Sequence, residues 1–246
     1  MSIFVNRTKG YFLITSFKVM YSTLAAHSNL QEIFLTNYLD CIRFKAQQSQ
    51  IPTVMLVRNP YTRLISFFED KFIRHPEMPV WKRIKYSNDN AWQTCQTIFF
   101  PYLNIDHQSS TQTIITRLKD TTFTKFVSCL PSVYQQDPHL TPQTTNIRFQ
   151  TSIDPLTDGN PNSNQLFSIS LKVDRTIKME NLDRDYFQQE LDLDLNNIIN
   201  RNPKNIPWTE YFNNSQLLQI VNKLYKTDFN NFNYPQHTDS NFIESD

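Results

Sequence analysis

The chain has 246 residues, 39% of them hydrophobic, with 19 Phe, 11 Tyr and 3 Trp, enough material to bury a substantial core. Its 24 basic and 23 acidic side chains leave a formal net charge of +1, without the basic excess by which proteins hold long nucleic acid. Cys41, Cys95 and Cys129 are widely spaced, with no CxxC pair, and the five histidines show no metal-site spacing, so neither a disulfide framework nor a metal centre is expected.

The apolar run Tyr11-Phe12-Leu13-Ile14 near the start is too short for a signal core or a membrane span. With Thr15 it reads as a buried strand. A helix is predicted to start at Ser22 and another to run from Leu30 through Phe34, Leu35 and Tyr38. Residues 45–52 read as a polar loop ending in proline. Thr53-Val54-Met55-Leu56-Val57 is the clearest strand, continuously apolar and β-branched, as a central parallel strand should be. It leads into a helix through about Phe72, whose Leu64, Phe67, Phe68 and Phe72 share one face.

Further helices are predicted over 91–100, 111–119 and 122–130. Residues 134–165, rich in Gln, Asn, Pro and Thr, read as a long surface excursion. Strands are expected at Ser168–Val173 and Thr176–Met179, and a helix near 184–191. Ser215 is placed as the N-cap of a last helix carrying Leu217, Leu218, Val221 and Leu224. Strands alternating with helices indicate an α/β protein, a parallel sheet flanked by helices. One domain is expected over 1–235, followed by a polar, disordered tail over 236–246.

At Val57-Arg58-Asn59-Pro60-Tyr61-Thr62-Arg63-Leu64-Ile65-Ser66 a buried strand ends directly at a helix. Asn59 is a favoured N-cap and Pro60 suits the first helical position. The helix start favours an anion, and Arg58 stands at the strand's carboxyl end, where open α/β sheets bind ligands. Arg63 and Ser66, three apart, share a helical face and add a bidentate fork and a hydroxyl. A well-capped helix bearing two surface arginines would present the same pattern.

The segment Arg58 to Phe72 resembles the 3′-phosphate-binding segment of the sulfotransferases that use 3′-phosphoadenosine 5′-phosphosulfate (PAPS). It is most similar to the carbohydrate-type branch, with its R-x-P-x-x-R-x-x-S pattern followed by aromatics and D-K-F. Asp137-Pro138-His139-Leu140-Thr141-Pro142-Gln143 resembles that family's H-x-x-P-Q segment. Lys178-Met179-Glu180-Asn181-Leu182 resembles its K-x-E-N-L stretch, and Tyr225 to Tyr234 its Y-x-x-D-F-x-x-F-x-Y ending. The resemblance implies a P-loop-like sulfotransferase fold in which Arg58 and Ser66 hold the 3′-phosphate and Arg63 supports them.

In the same family a strand, a lysine loop and a helix cradle the 5′-phosphosulfate. Phe12 to Leu24 occupies that place, and Lys18, Ser22 and Thr23 match its lysine and hydroxyl positions. Lysine supplies a compact cation for the leaving oxygen. Phe17, Met20 and Tyr21 depart from the family's proline and small residues, and could either point away or block the loop. A nucleotide kinase would instead need a GxxxxGK[ST] loop, which two glycines, Gly10 and Gly159, cannot provide.

His139 is the leading site histidine, as general base or in orienting a substrate, with His27 second. The expected co-substrate is PAPS without a metal. The expected partner is a hydroxylated acceptor, which the branch resemblance makes a carbohydrate, with another hydroxylated metabolite or a tyrosine as alternatives. Trp81, Trp92, Phe99, Phe100 and Tyr102 could line its cleft, although burial in the core explains most of them. Lack of an anchor and of disulfides points to a cytoplasmic enzyme. The rival reading is a non-catalytic nucleotide-binding relative with a degenerate 5′-phosphosulfate loop.

Overall fold

In the computed structural model, which describes residues 2–35, 38–74, 95–152, 166–194 and 207–238, the run Tyr11–Thr15 is a strand buried at all five positions. It is the second strand, β2. Ser2–Asn6 precedes it as β1, and the two form an antiparallel hairpin with Asn6 opposite Tyr11. Gly10, at φ 69, takes the left-handed turn position between them. Helix α1 (Tyr21–Ala25), strand β3 (Gln31–Ile33), helix α2 (Tyr38–Gln48) and strand β4 (Thr53–Val57) follow.

The sheet order is β3-β1-β2-β4-β7, where β7 is Arg175–Lys178. β2 pairs with β4 and β4 with β7 in parallel, whereas β1 is antiparallel to both of its neighbours. The expected parallel sheet is thus a parallel three-strand half with an antiparallel edge. β5 (Arg148–Ser152) and β6 (Leu166–Ser170) form a separate antiparallel pair.

Successive residues of a strand face opposite sides of the sheet. Phe12 packs edge-on against Phe44 of α2, ring centroids 4.6 Å apart, so α2 covers one face. Leu13 faces the other way, into a cluster with Val19, Met20, Leu24, Leu56, Ile177 and Phe187, so α1 and the helix Arg184–Gln189 cover the second face. The start of β4 is fixed by Gln48, whose Nε2 donates to Thr53 Oγ1 (3.0 Å) and to the Lys172 carbonyl (3.1 Å).

Several local expectations need correction. Residues 31–33 form a strand on the edge of β1, not the start of a helix, and Phe34 is 71% exposed. The apolar spacing of Leu30, Phe34 and Leu35 imitates a helical face, but pairing with β1 prevails. α2 runs to Gln48, through much of the supposed loop at 45–52. Asn214, not Ser215, caps the helix Ser215–Leu224, its side chain accepting from the Gln216 N–H at 2.8 Å. The helix after β4, α3 (Pro60–Phe68), passes into a π-helical turn at Glu69–Arg74. Residues 91–94, 153–165 and 239–246, on which parts of three expectations fall, lie outside the described residues, as do Trp81 and Trp92.

The chain forms two compact units, Met1–Arg58 with Gln143–Arg201, and Asn59–Pro142 with Asn202–Asp246. The first contains the five-stranded sheet. The second is helical around an aromatic core in which Phe67 stacks on Phe126 (5.8 Å) and Phe72 meets Phe99 edge-on (5.3 Å). Phe99 and Phe100 are fully buried there, while Tyr102 is exposed. Within this unit His237 is held by α3: its N–H donates to the Tyr61 hydroxyl at 3.0 Å, and its carbonyl accepts from Asn222 at 2.8 Å. Its ring lies 4.8 Å from Trp208. Among the described residues no helix is long and apolar enough to cross a membrane.

Phe44 supplies much of the apolar cover that α2 gives the sheet. Phe44→Ala should therefore cost about 3–5 kcal/mol, measured as a lower urea midpoint at unchanged slope. An unchanged midpoint would contradict this packing.

Candidate functional site

Parallel pairing of β2, β4 and β7 brings their carboxyl ends to one edge, with Thr15 beside Leu56 and Val57 beside Lys178. Ser16–Met20 leaves that edge after β2, and Arg58 leaves it after β4. Open α/β sheets gather ligands at this edge. The Arg58 guanidinium crosses between the two exits: Nη1 donates to the Lys18 carbonyl at 3.2 Å. Arg58 and Lys18 are both half-buried. The cation predicted for one phosphate and the lysine predicted for another are thus brought together.

The loop holding Lys18 is shaped by backbone geometry more than by glycine. Lys18 and Met20 adopt φ of 66° and 57°, in the left-handed region. For residues with a Cβ this costs roughly 1–2 kcal/mol each. The turn is fastened by Thr15 Oγ1, which donates to the Val19 carbonyl, and by the Val19 N–H, which donates to the Ser16 carbonyl at 3.2 Å. The Met20 carbonyl then accepts from Thr23 and Leu24, both at 3.0 Å, and starts α1. Ser22 is exposed and Thr23 buried.

The bulky residues that depart from the expected loop turn inward. Met20 is 8% exposed and joins the sheet core, with Tyr21 packed against it. The Tyr21 ring lies 6.1 Å from Phe4 and its hydroxyl reaches Glu32 at 3.3 Å. Burial, reinforced by Glu32, pushes that hydroxyl up from the ordinary tyrosine range. Phe17 is half-buried, 6.4 Å from the Tyr21 ring.

Gln143 ties the site together from a third segment. It is fully buried, its Oε1 accepting from the Arg58 N–H at 2.9 Å and its Nε2 donating to the Arg58 carbonyl at 2.7 Å. Ser16 Oγ lies 3.4 Å from the same Oε1. The sequence holds Gln143 in a motif, but only the fold shows what its amide meets.

In the helical unit, α3 begins as expected, with Asn59 Oδ1 accepting from the Tyr61 N–H at 2.9 Å and Pro60 at the first position. Ser66 is half-buried, one turn beyond Arg63. Arg63 has no exposed surface. Its Nη2 donates to the Thr141 carbonyl at 2.5 Å and lies 3.5 Å from that of Leu140. Its Nε and Nη1 find no acceptor among the described residues. The Tyr225 ring lies beneath the guanidinium at 5.6 Å, and the Tyr225 hydroxyl donates to the Leu140 carbonyl at 2.6 Å. Burial raises this hydroxyl far above the ordinary range, against the opposing charge of Arg63.

His139 sits on the braced segment. Asp137 Oδ1 accepts from its backbone N–H at 2.7 Å and lies 2.7 Å from Nδ1. A carboxylate only accepts, so Nδ1 carries the proton in this contact. Asp137 escaped the sequence reading of the site; an Asp two residues before a loop histidine is an Asx-turn signal that could have drawn attention to it. His27, the second choice, instead accepts from the Asp194 N–H through Nε2 at 3.1 Å. Among the described residues no group of three or more His, Cys, Asp or Glu is placed to hold a metal ion.

The family model described as Sulfotransferase family matches residues 17–235. The chain belongs to the sulfotransferase family, and so to a class of transferases. No curated protein and no solved structure matches it.

The left-handed backbone at Lys18 separates two effects of its replacement. Lys18→Gly should preserve or raise the thermal midpoint, while Lys18→Ala should be less stable than the glycine variant by about 1 kcal/mol. Equal stabilities would argue against the positive φ.

Proposed function

We propose that the protein transfers a sulfuryl group from PAPS to a hydroxyl of an acceptor, and that the acceptor is a carbohydrate. The observation that carries this reading is the reach of Arg58 Nη1 to the Lys18 carbonyl, which joins the two proposed phosphate loops at one sheet edge. The family match supports it, and its run through both compact units supports treating 1–235 as one functional domain.

The residues present suit an anionic nucleotide. Arg58 and Ser66 would hold the 3′-phosphate, and Arg63 would support them by bracing residues 140–141. Lys18, Ser22 and Thr23 would bind the 5′-phosphosulfate, whose sulfur is the electrophile. When the acceptor oxygen bonds to sulfur, the bond from sulfur to the phosphate oxygen breaks. Lys18 would offset the charge gathering on that oxygen. His139, its Nδ1 held by Asp137, would accept the acceptor's proton at Nε2. The cations Lys18 and Arg58 supply the charge that this chemistry requires, and the reading includes no metal. Met20 and Tyr21 packing into the core favours a working donor loop over the binding-only alternative.

Thermal stabilisation by 3′-phosphoadenosine 5′-phosphate should greatly exceed that by AMP. Arg58→Ala should weaken binding of the former by about 10- to 100-fold, the loss of a charge-assisted contact, and abolish the preference. Undiminished preference would count against the site. Lys18→Gly should lower transfer of radiolabelled sulfate by about 100- to 1000-fold, with a smaller effect on nucleotide binding. Among acceptors, oligosaccharides should be labelled in preference to phenols; the reverse order would sink the carbohydrate assignment.

A further inference from the structure

The ladder between β4 and β7 ends at Val57 opposite Lys178, so Arg58 is the first residue beyond it. Its backbone is nevertheless paired, because the Gln143 amide meets it on both sides: 2.9 Å at N–H and 2.7 Å at C=O. One primary amide thereby takes the part of a neighbouring strand. The Ser16 hydroxyl lies against the same amide oxygen at 3.4 Å, two residues before Lys18. Gln143 is 0% exposed, which makes an unmet hydrogen bond there costly.

We propose that Gln143 is a positioning residue for nucleotide recognition. It fixes the Arg58 backbone and the entry of the Ser16–Met20 loop in one frame, and so sets where the Arg58 guanidinium stands relative to Lys18. The proposal rests on the reading of Arg58 and Lys18 as the nucleotide cradle. The amide must both donate and accept. Aspartate-like or apolar side chains of similar reach cannot do both, whereas a protonated carboxyl group can.

Gln143→Glu and Gln143→Met supply the test. At pH 8, both should bind 3′-phosphoadenosine 5′-phosphate about 10- to 100-fold more weakly than wild type, with a smaller loss for AMP, because the glutamate carboxylate cannot donate to the Arg58 carbonyl and methionine makes neither bond. Relative to wild type at each pH, acidification to about pH 6 should restore affinity to Gln143→Glu, whose buried carboxyl protonates readily. Gln143→Met should show no such recovery, and a general loss of packing would not produce the difference. In the ligand-free protein the Arg58 amide should be protected from hydrogen exchange, and Gln143→Met should abolish that protection while the strand β2 amides remain slow.

An unprotected Arg58 amide in wild type overturns the proposal even if neither variant folds. So do folded variants that retain the wild-type preference for the 3′-phosphate. A wild-type protein indifferent to the 3′-phosphate would overturn the cradle reading and this inference with it. Indifference to substitution, with the wild-type preference intact, would overturn the role of Gln143 alone.

Discussion

Parallel pairing between β2 and β4 is the constraint from which the candidate site follows. Two strands running side by side in the same direction must release their chains at the same edge, and here those chains carry Lys18 and Arg58. An antiparallel arrangement would have sent them to opposite ends. The strands are buried at every position, so a slip in register would move core side chains to the wrong face. Hydrophobic burial thus fixes the positions of two cations that do not themselves stabilise the sheet.

Buried polar side chains then do within each unit what the sheet cannot. Gln143 substitutes for a missing strand beside Arg58, and Arg63 gathers the carbonyls of Leu140 and Thr141 above Tyr225. Each draws together segments distant in sequence. Arg63 joins three of the motif-like stretches: the one after β4, the one around His139 and the one that begins at Tyr225. A guanidinium with no exposed surface and two nitrogens that meet no acceptor among the described residues is costly in isolation. Its retention makes sense if holding residues 137–142 in one conformation matters more than stability.

The sequence made the central elements legible because their signals are local. β2 and β4 are uninterrupted apolar runs, Asn59-Pro60 is a helix start in two residues, and Thr111–Lys119 has its helical boundaries as expected. The misreadings arose where partners decide. Gln31–Ile33 has little strand character of its own and becomes one because β1 offers an open edge. β1 itself, Ser2–Asn6, has no counterpart among the elements predicted from the sequence. At the site, residue types were readable, yet the roles of Asp137, Gln143 and Tyr225 were not, since each acts through a hydrogen bond to a backbone group. The inward turn of Met20 and Tyr21 likewise depends on a core that no spacing rule describes.

The family match stops at residue 235, but the physical edge of the helical unit lies further on. The Tyr61 hydroxyl is placed between Asn222 and the backbone of His237, while the imidazole ring covers Trp208. His237, two residues past the matched region, works as a clasp on the first turn of α3, the helix that carries Arg63 and Ser66. A boundary drawn from family likeness alone would cut through that clasp and leave an aromatic surface and a phenol uncovered beside the helix on which the proposed phosphate contacts depend.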